Sequence, residues 1–516
     1  MEAKTLCKIT IKTDTDEFSV SAPRGTRLLD LLRQAGLSVS APCGGNGTCG
    51  RCLVELDGCS VPACQTEVRG DCTVRLSELA GGAILSSSFP AASSGAAPDR
   101  VPDRALSGPL GLAVDLGTTT VAAELLDLSD GKSLGASAVW NAQAPFGADV
   151  ITRCQYCMEH PDGVGELQQV IRAQTARLCR ELGADPAMLK ETFVAGNTVM
   201  QHLYAGLSPV GISVAPFLPE VWFTGDEPLE PGLSYAPCVA GYVGGDITAG
   251  ILASGLYSRD EISLFLDIGT NGEMALGGAG GFLGCAVASG PAFEGVGISC
   301  GMPGVDGAVS HVFRKDGDLG FEVIGNGSPK GICGSGLIDL LALLIEKRAV
   351  SGYGLLLGPD EAPEELLPRL GEDRNGNGIF YLTEDHSVYL TAEDVRKLQL
   401  AKAAVAAGIQ VLLKEAAVSA EQLDRLYLAG GFGTYMDINS AVTVGMLPAA
   451  LREKTVLLGN SSLAGARLAL TDREKRAELF RIRDSFRYLE LSANAEFNRE
   501  YPEQMIFYEE DDDEWN

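Results

Sequence analysis

Two closely similar strings set the frame for most of this chain. GLAVDLGTTTVAAELLD at 111–127 and SLFLDIGTNGEMALGG at 263–278 each read as an apolar strand, a D-[LI]-G-T turn and a second strand. Asp115 and Asp267 lie 267 − 115 = 152 residues apart. A duplicated α/β unit of that size predicts two similar lobes facing each other across a cleft.

VDLGTTT (114–120) and LDIGTNG (266–272) share a chemical logic. The strand end aims a carboxylate, Asp115 or Asp267, where it can hold Mg²⁺ directly or through water. Gly117 and Gly269 permit the tight turn, so Thr118, Thr119, Thr270 and Asn271 can offer backbone N–H and side-chain donors to phosphate oxygens. One such loop is a weak signal; two in register with further motifs are a strong one. LYLAGGFGTYMDINSAV (426–442) predicts a strand running into Gly430, Gly431 and Gly433, then a helix capped by Asp437 or Asn439. Those glycines would let adenine and ribose lie flat against backbone. YVGGDITAGILASGL (242–256) puts Asp246 at the start of a small-residue helix just before the second loop. No Walker-type G-x4-G-K-[ST] and no G-x-G-x-x-G after a first strand is present. Glu294, in the glycine-rich GPAFEG, reads as part of loop packing, with contact to magnesium or a partner as the alternative.

The first 76 residues read as a separate module. KITIKT and FSVSAP alternate as strands, TRLLDLLRQAG is a short amphipathic helix ended by Gly36, and CLVEL and CTVRL are further strands. Seven of the 14 cysteines fall in the first 72 residues, a clustering that favours metal ligation over disulfides. Cys43, Cys49, Cys52 and Cys64 give C-x5-C-x2-C-x11-C, unlike the paired C-x2-C of a zinc ribbon, although zinc remains the competing occupant. A loop with glycines at 44, 45, 47 and 50 can wrap a 2Fe–2S cluster closely and send backbone N–H groups to its sulfur atoms. Cys59 competes as fourth ligand, and the ACQT context favours Cys64. The C-x2-C of Cys154 and Cys157 has no second pair and reads as two ordinary helix cysteines. The histidines form no metal spacing.

Residues 77–109 are rich in Ala, Ser, Gly and Pro and read as a flexible linker, with a root-mean-square span of roughly 30 Å. Lys and Arg number 40 against 68 Asp and Glu, a net charge of −28. Nine basic and nine acidic residues cancel within 1–76, so the whole excess lies beyond it. That balance excludes nucleic acid and anionic membranes as main partners. Without an apolar run near 18 residues or an N-terminal signal region, a cytoplasmic protein is expected. The last residues, 491–516, read as an acidic tail ending in the solvated run EEDDDE.

The nucleotide motifs resemble those of the acetate and sugar kinase, heat-shock-70 and actin (ASKHA) superfamily. Its phosphate-1, connect-1, phosphate-2 and adenosine motifs look like 112–121, 242–256, 264–275 and 426–442, in the family's order. The cysteine loop resembles that of β-grasp 2Fe–2S ferredoxins. Joined on one chain, the two look like the reductive activators of corrinoid proteins, and FVAGNTVMQHL (193–203), SGPAFEGVGISCG (289–301) and GICGSGLIDLL (331–341) resemble that family too. The resemblance implies a multi-domain α/β chain: a ferredoxin domain at 1–76, the linker at 77–109, a two-lobed ASKHA ATPase domain at 110–490 and the tail at 491–516. The family's additional middle domain finds room here only in the linker. Also implied are a 2Fe–2S cluster on the four cysteines, ATP with Mg²⁺ on Asp115 and Asp267, and Asp246 orienting water or magnesium. The expected activity returns a Co(II) corrinoid protein or methyltransferase to Co(I) by one electron, drawn from an upstream low-potential donor; a homodimer is possible. Each ~59 mV uphill costs about 1.4 kcal/mol, and plant-type clusters sit near −400 mV, so ATP would supply the shortfall. A small-molecule kinase carrying an accessory redox module is the alternative.

Overall fold

The computed structural model describes residues 6–12, 17–35, 39, 52–75, 108–225, 229–315, 318–358 and 360–508. These form two compact units, one of the described residues up to 234 except 223–225, the other of 223–225 and 235 onward.

The first unit begins with a five-stranded sheet. Its strands are β1 (Leu6–Lys12), β2 (Glu17–Pro23), β3 (Leu53–Leu56), β4 (Cys59–Pro62) and β5 (Cys72–Arg75), in the order β2-β1-β5-β3-β4. Alternation along β1 buries Ile9 and Ile11 against Leu28, Leu29 and Leu32 of α1 (Leu28–Gln34). The sequence reading placed every one of these elements except β4. Gly36 and most of the linker lie outside the described residues.

The rest of this unit is a second sheet of β6 (Leu110–Leu116), β7 (Thr120–Asp127), β8 (Lys132–Trp140), β9 (Leu189–Gly196) and β10 (Leu233–Tyr235), ordered β10-β9-β6-β7-β8. β6 and β7 pair antiparallel from Leu110↔Asp127 to Leu116↔Val121, the hairpin read from the first repeat. Its helices are α2 (Val150–Glu159), α3 (Gly163–Glu181), α4 (Thr198–Ala205) and the one-turn α5 (Val210–Ser213).

The second unit repeats the plan. Helix α6 (Gly245–Ser254) leads into β11 (Ser263–Ile268), β12 (Gly272–Gly278) and β13 (Gly281–Val287), and β11 and β12 pair from Ser263↔Gly277 to Ile268↔Gly272. Two small three-stranded sheets follow: β14 (Ala308–Lys315), β15 (Asp318–Val323) and β16 (Gly331–Ile332), then β17 (Leu370–Glu372), β18 (Gly378–Tyr381) and β19 (Tyr389–Thr391). β20 (Leu426–Ala429), β21 (Thr455–Gly459) and β22 (Phe486–Tyr488) complete the main sheet, ordered β21-β20-β11-β12-β13-β22. The core lies where this sheet meets α7 (Gly334–Glu346) and α8 (Ala392–Glu415). α8 is opened by a reciprocal Thr391–Asp394 capping box, and its alanines bring the helix close to β12 and β13.

The remaining helices are α9 (Gly430–Tyr435), α10 (Ile438–Thr443), α11 (Ser461–Thr471), α12 (Arg473–Asp484) and α13 (Ala495–Glu503). Two expectations change here. Helix α9 begins at Gly430 itself, so the glycines form a helical turn rather than a loop ahead of α10; Asp437 caps α10 as expected, accepting from Ser440 N. The acidic end also carries more structure than its charge suggested. α13 packs on α8, Lys414 pairs with Glu496 and Glu500, and Gln399 and Lys402 donate to the Met505 and Ile506 carbonyls. Folded structure therefore continues past residue 490 to Tyr508, and EEDDDE lies outside the described residues. No helix of the described residues is long and apolar enough to cross a membrane.

Candidate functional site

In the ferredoxin-like module, Cys52 at the start of β3 and Cys64 in a 3₁₀ turn (Ala63–Gln65) are both buried and outside any disulfide. The Cys64 N–H donates to Cys52 Sγ at 3.4 Å, the type of amide–sulfur bond that stabilises thiolate ligands. The segment after Cys64 is strapped to the start of α1: Leu28 N donates to Thr66 O, Val68 N to Thr26 O and Gly25 N to Val68 O. This strap brings in Arg27, whose guanidinium is held on Asp30 and feels the negative potential of Cys64 and Cys52, so that its pKa is raised. Two buried sulfurs, an amide donor and a nearby cation fit an anionic Fe–S centre. Cys59 is exposed on β4. Cys43 and Cys49 lie outside the described residues.

In the same unit, Asp115 sits half-buried at the end of β6, in register with Ala122 on β7 and Ala195 on β9. A Cβ at Gly117 would lie 2.5 Å from Thr120 O, so the turn requires glycine. Three buried or half-buried side chains fix the loop. Asn141 donates Nδ2 to Gly117 O at 2.8 Å, and its backbone N–H reaches Thr119 O at 2.8 Å. Asn197, which caps α4 through Met200 N, donates Nδ2 to Thr118 Oγ1 at 3.0 Å. Arg153 Nη2 reaches Thr118 O at 2.6 Å. Of these, Asn197 fell within a string already quoted, whereas Arg153 and Asn141 carry no motif. Burial raises the Cys154 and Cys157 thiols to about 12 and about 11, which suits inert helix residues.

In the second unit, Asp267 ends β11, and its cross-strand partner is Glu273 on β12. Glu273 is 8% exposed, and burial followed by repulsion from Asp246 and Asp267 lifts its carboxyl well above the ordinary range. Sequence reading passed over Glu273, although the hairpin register places it opposite Asp267. Asp246 occupies the first turn of α6, as expected, and its Oδ1 accepts from Ile247 N. The helix can lie close because its residues are small: a Cβ at Gly465 of α11 would fall 2.0 Å from Ala249 O. The loop itself is tied by Gly269 N to Asn271 O at 2.8 Å and by Ser289 Oγ to the Gly269 and Thr270 carbonyls at 3.2 Å each. Glu294 Oε1 accepts from Thr270 Oγ1 at 2.9 Å, which agrees with a packing role on the loop.

The three glycines of the adenosine-like motif differ. Gly430 has φ +86°, and a Cβ there would meet Asp267 Oδ1 at 2.5 Å, so it packs directly on that carboxylate. Gly431 faces open space. A Cβ at Gly433 would strike Leu428 at 2.9 Å, so this glycine serves the packing of α9 on β20. Among the described residues, no three His, Cys, Asp or Glu side chains form a ready metal cage. Magnesium suits such a place, since it keeps several waters and binds through one or two carboxylates plus substrate phosphates.

Three family profiles match the chain: the 2Fe-2S iron–sulfur cluster binding domain over 11–78, the RACo middle region over 110–259, and the C-terminal (ASKHA) domain of RACo over 261–516. The middle region expected to be missing is therefore present and carries the first hairpin and Asp246. It was overlooked because it is itself one copy of the duplication. The chain is 31% identical over 430 residues to the corrinoid activation enzyme RamQ of Eubacterium limosum, covering 79% of this chain and 72% of that protein. It is 25% identical over 446 residues to the [Co(II) methylated amine-specific corrinoid protein] reductase of Methanosarcina barkeri, covering 77% of each. A solved reductive activator for corrinoid,iron-sulfur protein superimposes with a TM-score of 0.69 at 31% identity, covering 97% of this chain and 98% of that one.

Proposed function

This chain belongs to the family of reductive activators of corrinoid proteins, and from that premise we propose that it delivers one electron to the Co(II) centre of a corrinoid protein, returning it to Co(I), at the expense of ATP. The observation that carries the reading is the presence, on one polypeptide, of a buried Cys52–Cys64 pair bridged by N–H···S and two D-[LI]-G-T hairpins with an aspartate at each strand end. Cys43, Cys49, Cys52 and Cys64 would hold the 2Fe–2S cluster, which supplies a one-electron store when bound.

On the nucleotide side, Asp115 in the first unit and Asp267 in the second would each offer a carboxylate to the magnesium that accompanies ATP, and Asp246 would orient the attacking water. Thr118, Thr119, Thr270 and Asn271 would donate to phosphate oxygens, while the open face of Gly431, beside the Gly430 backbone, would take the adenosine. Phosphoryl transfer asks little beyond such positioning and charge neutralisation. ATP drives the electron uphill only if two conformations of the protein bind it unequally.

The test mixes reduced protein with a Co(II) corrinoid protein and follows the cobalt spectrum with and without MgATP. Co(I) should appear only with MgATP, and its appearance at the same rate without nucleotide would overturn the reading. A phosphorylated metabolite in place of Co(I) would favour the kinase alternative.

A further inference from the structure

Arg153 is fully buried, and one of its donors reaches the first phosphate loop. Nη2 bonds Thr118 O at 2.6 Å, Nε bonds Gly147 O at 3.0 Å, and Nη1 reaches Gln143 Oε1 at 3.2 Å and Met200 Sδ at 2.9 Å. We propose that Arg153 is a positioning residue that turns the loop amides of Thr118 and Thr119, together with its own positive potential, toward a bound phosphate anion. The inference rests on reading 117–120 as a phosphate loop.

In a trans peptide the C=O of one residue and the N–H of the next point in opposite directions. Asn141 Nδ2 holds the Gly117 carbonyl, which sends the Thr118 N–H the other way. Arg153 holds the Thr118 carbonyl, which does the same for the Thr119 N–H. Two successive amides so directed make an anion-binding concavity.

A neutral donor could fix the carbonyls, and in the second repeat Ser289 Oγ does that for Gly269 and Thr270. At the first loop the side chain that holds the Thr118 carbonyl carries a full positive charge, whereas Ser289 at the second carries none. The planar fork of Arg153 serves Thr118, Gly147 and Gln143 together, which a lysine ammonium on a flexible stem cannot reproduce. Placement follows from the Asp149–Thr152 capping box, which fixes the first turn of α2 one residue before Arg153.

The test compares wild type with Arg153→Lys and Arg153→Met in the full-length chain. Dissociation constants are measured for MgATP and for adenosine, alongside thermal unfolding. Arg153→Met should weaken MgATP about 10-fold or more, the loss expected for a hydrogen bond to a charged group, and leave adenosine within about twofold. Arg153→Lys should recover only part of the loss. Equal weakening of both ligands, or full recovery by lysine, would overturn the proposal. A wild-type protein that binds no MgATP would instead overturn the phosphate-loop reading beneath it. Wild-type amide spectra test the same point without a variant: the Thr118 and Thr119 amide protons should move with MgATP and not with adenosine, and the absence of that difference refutes the role.

Discussion

Replacing Gly430 with alanine tests how tightly the glycine turn is built onto the Asp267 carboxylate. Gly430 has φ +86°, a left-handed conformation that costs a residue with a Cβ about 1–2 kcal/mol. The new methyl would also stand 2.5 Å from Asp267 Oδ1 and 3.1 Å from Ile268 O. Ordinary contact begins at 3.4 Å, so the carboxylate must retreat by 3.4 − 2.5 = 0.9 Å or the turn must open by as much. For a domain of this size, each kcal/mol lowers Tm by about 2–4 °C, which gives a fall of roughly 2–8 °C from backbone strain alone.

The carboxylate shift matters more for activity, since misplacement by about 1 Å can cost about 10²-fold. MgATP hydrolysis by Gly430→Ala should therefore fall about 100-fold, with the protein still folded at 25 °C by calorimetry. Gly431→Ala supplies the stability comparison, because a Cβ there meets nothing within 4 Å and its φ is not left-handed. Hydrolysis by Gly430→Ala within twofold of wild type, with an unchanged Tm, would refute the claim that this glycine packs on Asp267.

Glu273→Gln should flatten the pH dependence of stability. The unfolded chain releases this proton near 4.5 while burial beside Asp246 and Asp267 keeps it on the native carboxyl, so native stability falls as pH rises above that value until Glu273 ionises. Urea midpoints between pH 5 and 8 should decline more steeply for wild type than for the variant, and parallel slopes would argue against a protonated Glu273. After anaerobic reconstitution with iron and sulfide, Cys64→Ser should lose the 2Fe–2S visible spectrum and Cys59→Ser should keep it. Gly465→Ala places a methyl 2.0 Å from Ala249 O, and overpacking of that kind costs about 1–3 kcal/mol. It should lower Tm and slow ATP hydrolysis together by displacing α6.

The hairpins were legible because an apolar, almost wholly buried strand ending in D-[LI]-G-T admits few other structures, and the register then followed from the turn. Most of the ferredoxin-like sheet was legible from alternation, as in β1. β4 was not, since CSVP is four residues long and has too little alternation to announce itself. Helix α9 was hidden because three glycines in a row of six predict a loop on propensity, whereas the chain turns at the left-handed Gly430 beside Asp267 and continues as helix, with Gly433 packed on Leu428. The end of the chain was misjudged on charge: its acidic residues pair with Lys414, and Lys402 reaches the backbone beyond α13. Arg153 and Asn141 could be found only from three-dimensional neighbours. Pairing across strands identifies Glu273, and helix packing behind a turn identifies Arg153.

The same motif in two places acquires opposite electrostatics from residues outside it, which bears on how Asp115 and Asp267 should respond to the same substitution. Opposite Asp115 stands Ala122, and the loop beyond is held by the donors of Asn141, Asn197 and Arg153. Opposite Asp267 stands Glu273, with Asp246 adding a third carboxyl, an arrangement whose mutual repulsion is relieved by a cation. Burial is the main cause of the raised Glu273 carboxyl; removing the charge of Asp267 takes away one of the two repulsions that add to it, so the carboxyl should move part of the way back toward the ordinary range. Asp267→Asn should then raise Tm at pH 7 while weakening MgATP, the usual exchange of stability for function at a strained site. Asp115→Asn has an alanine, not a carboxyl, directly across the hairpin and should weaken MgATP without that gain in Tm. Thermal unfolding of both variants at pH 7, with and without MgATP, decides the matter. An equal change in Tm for the two would mean that the repulsion around Glu273 does not govern the second loop.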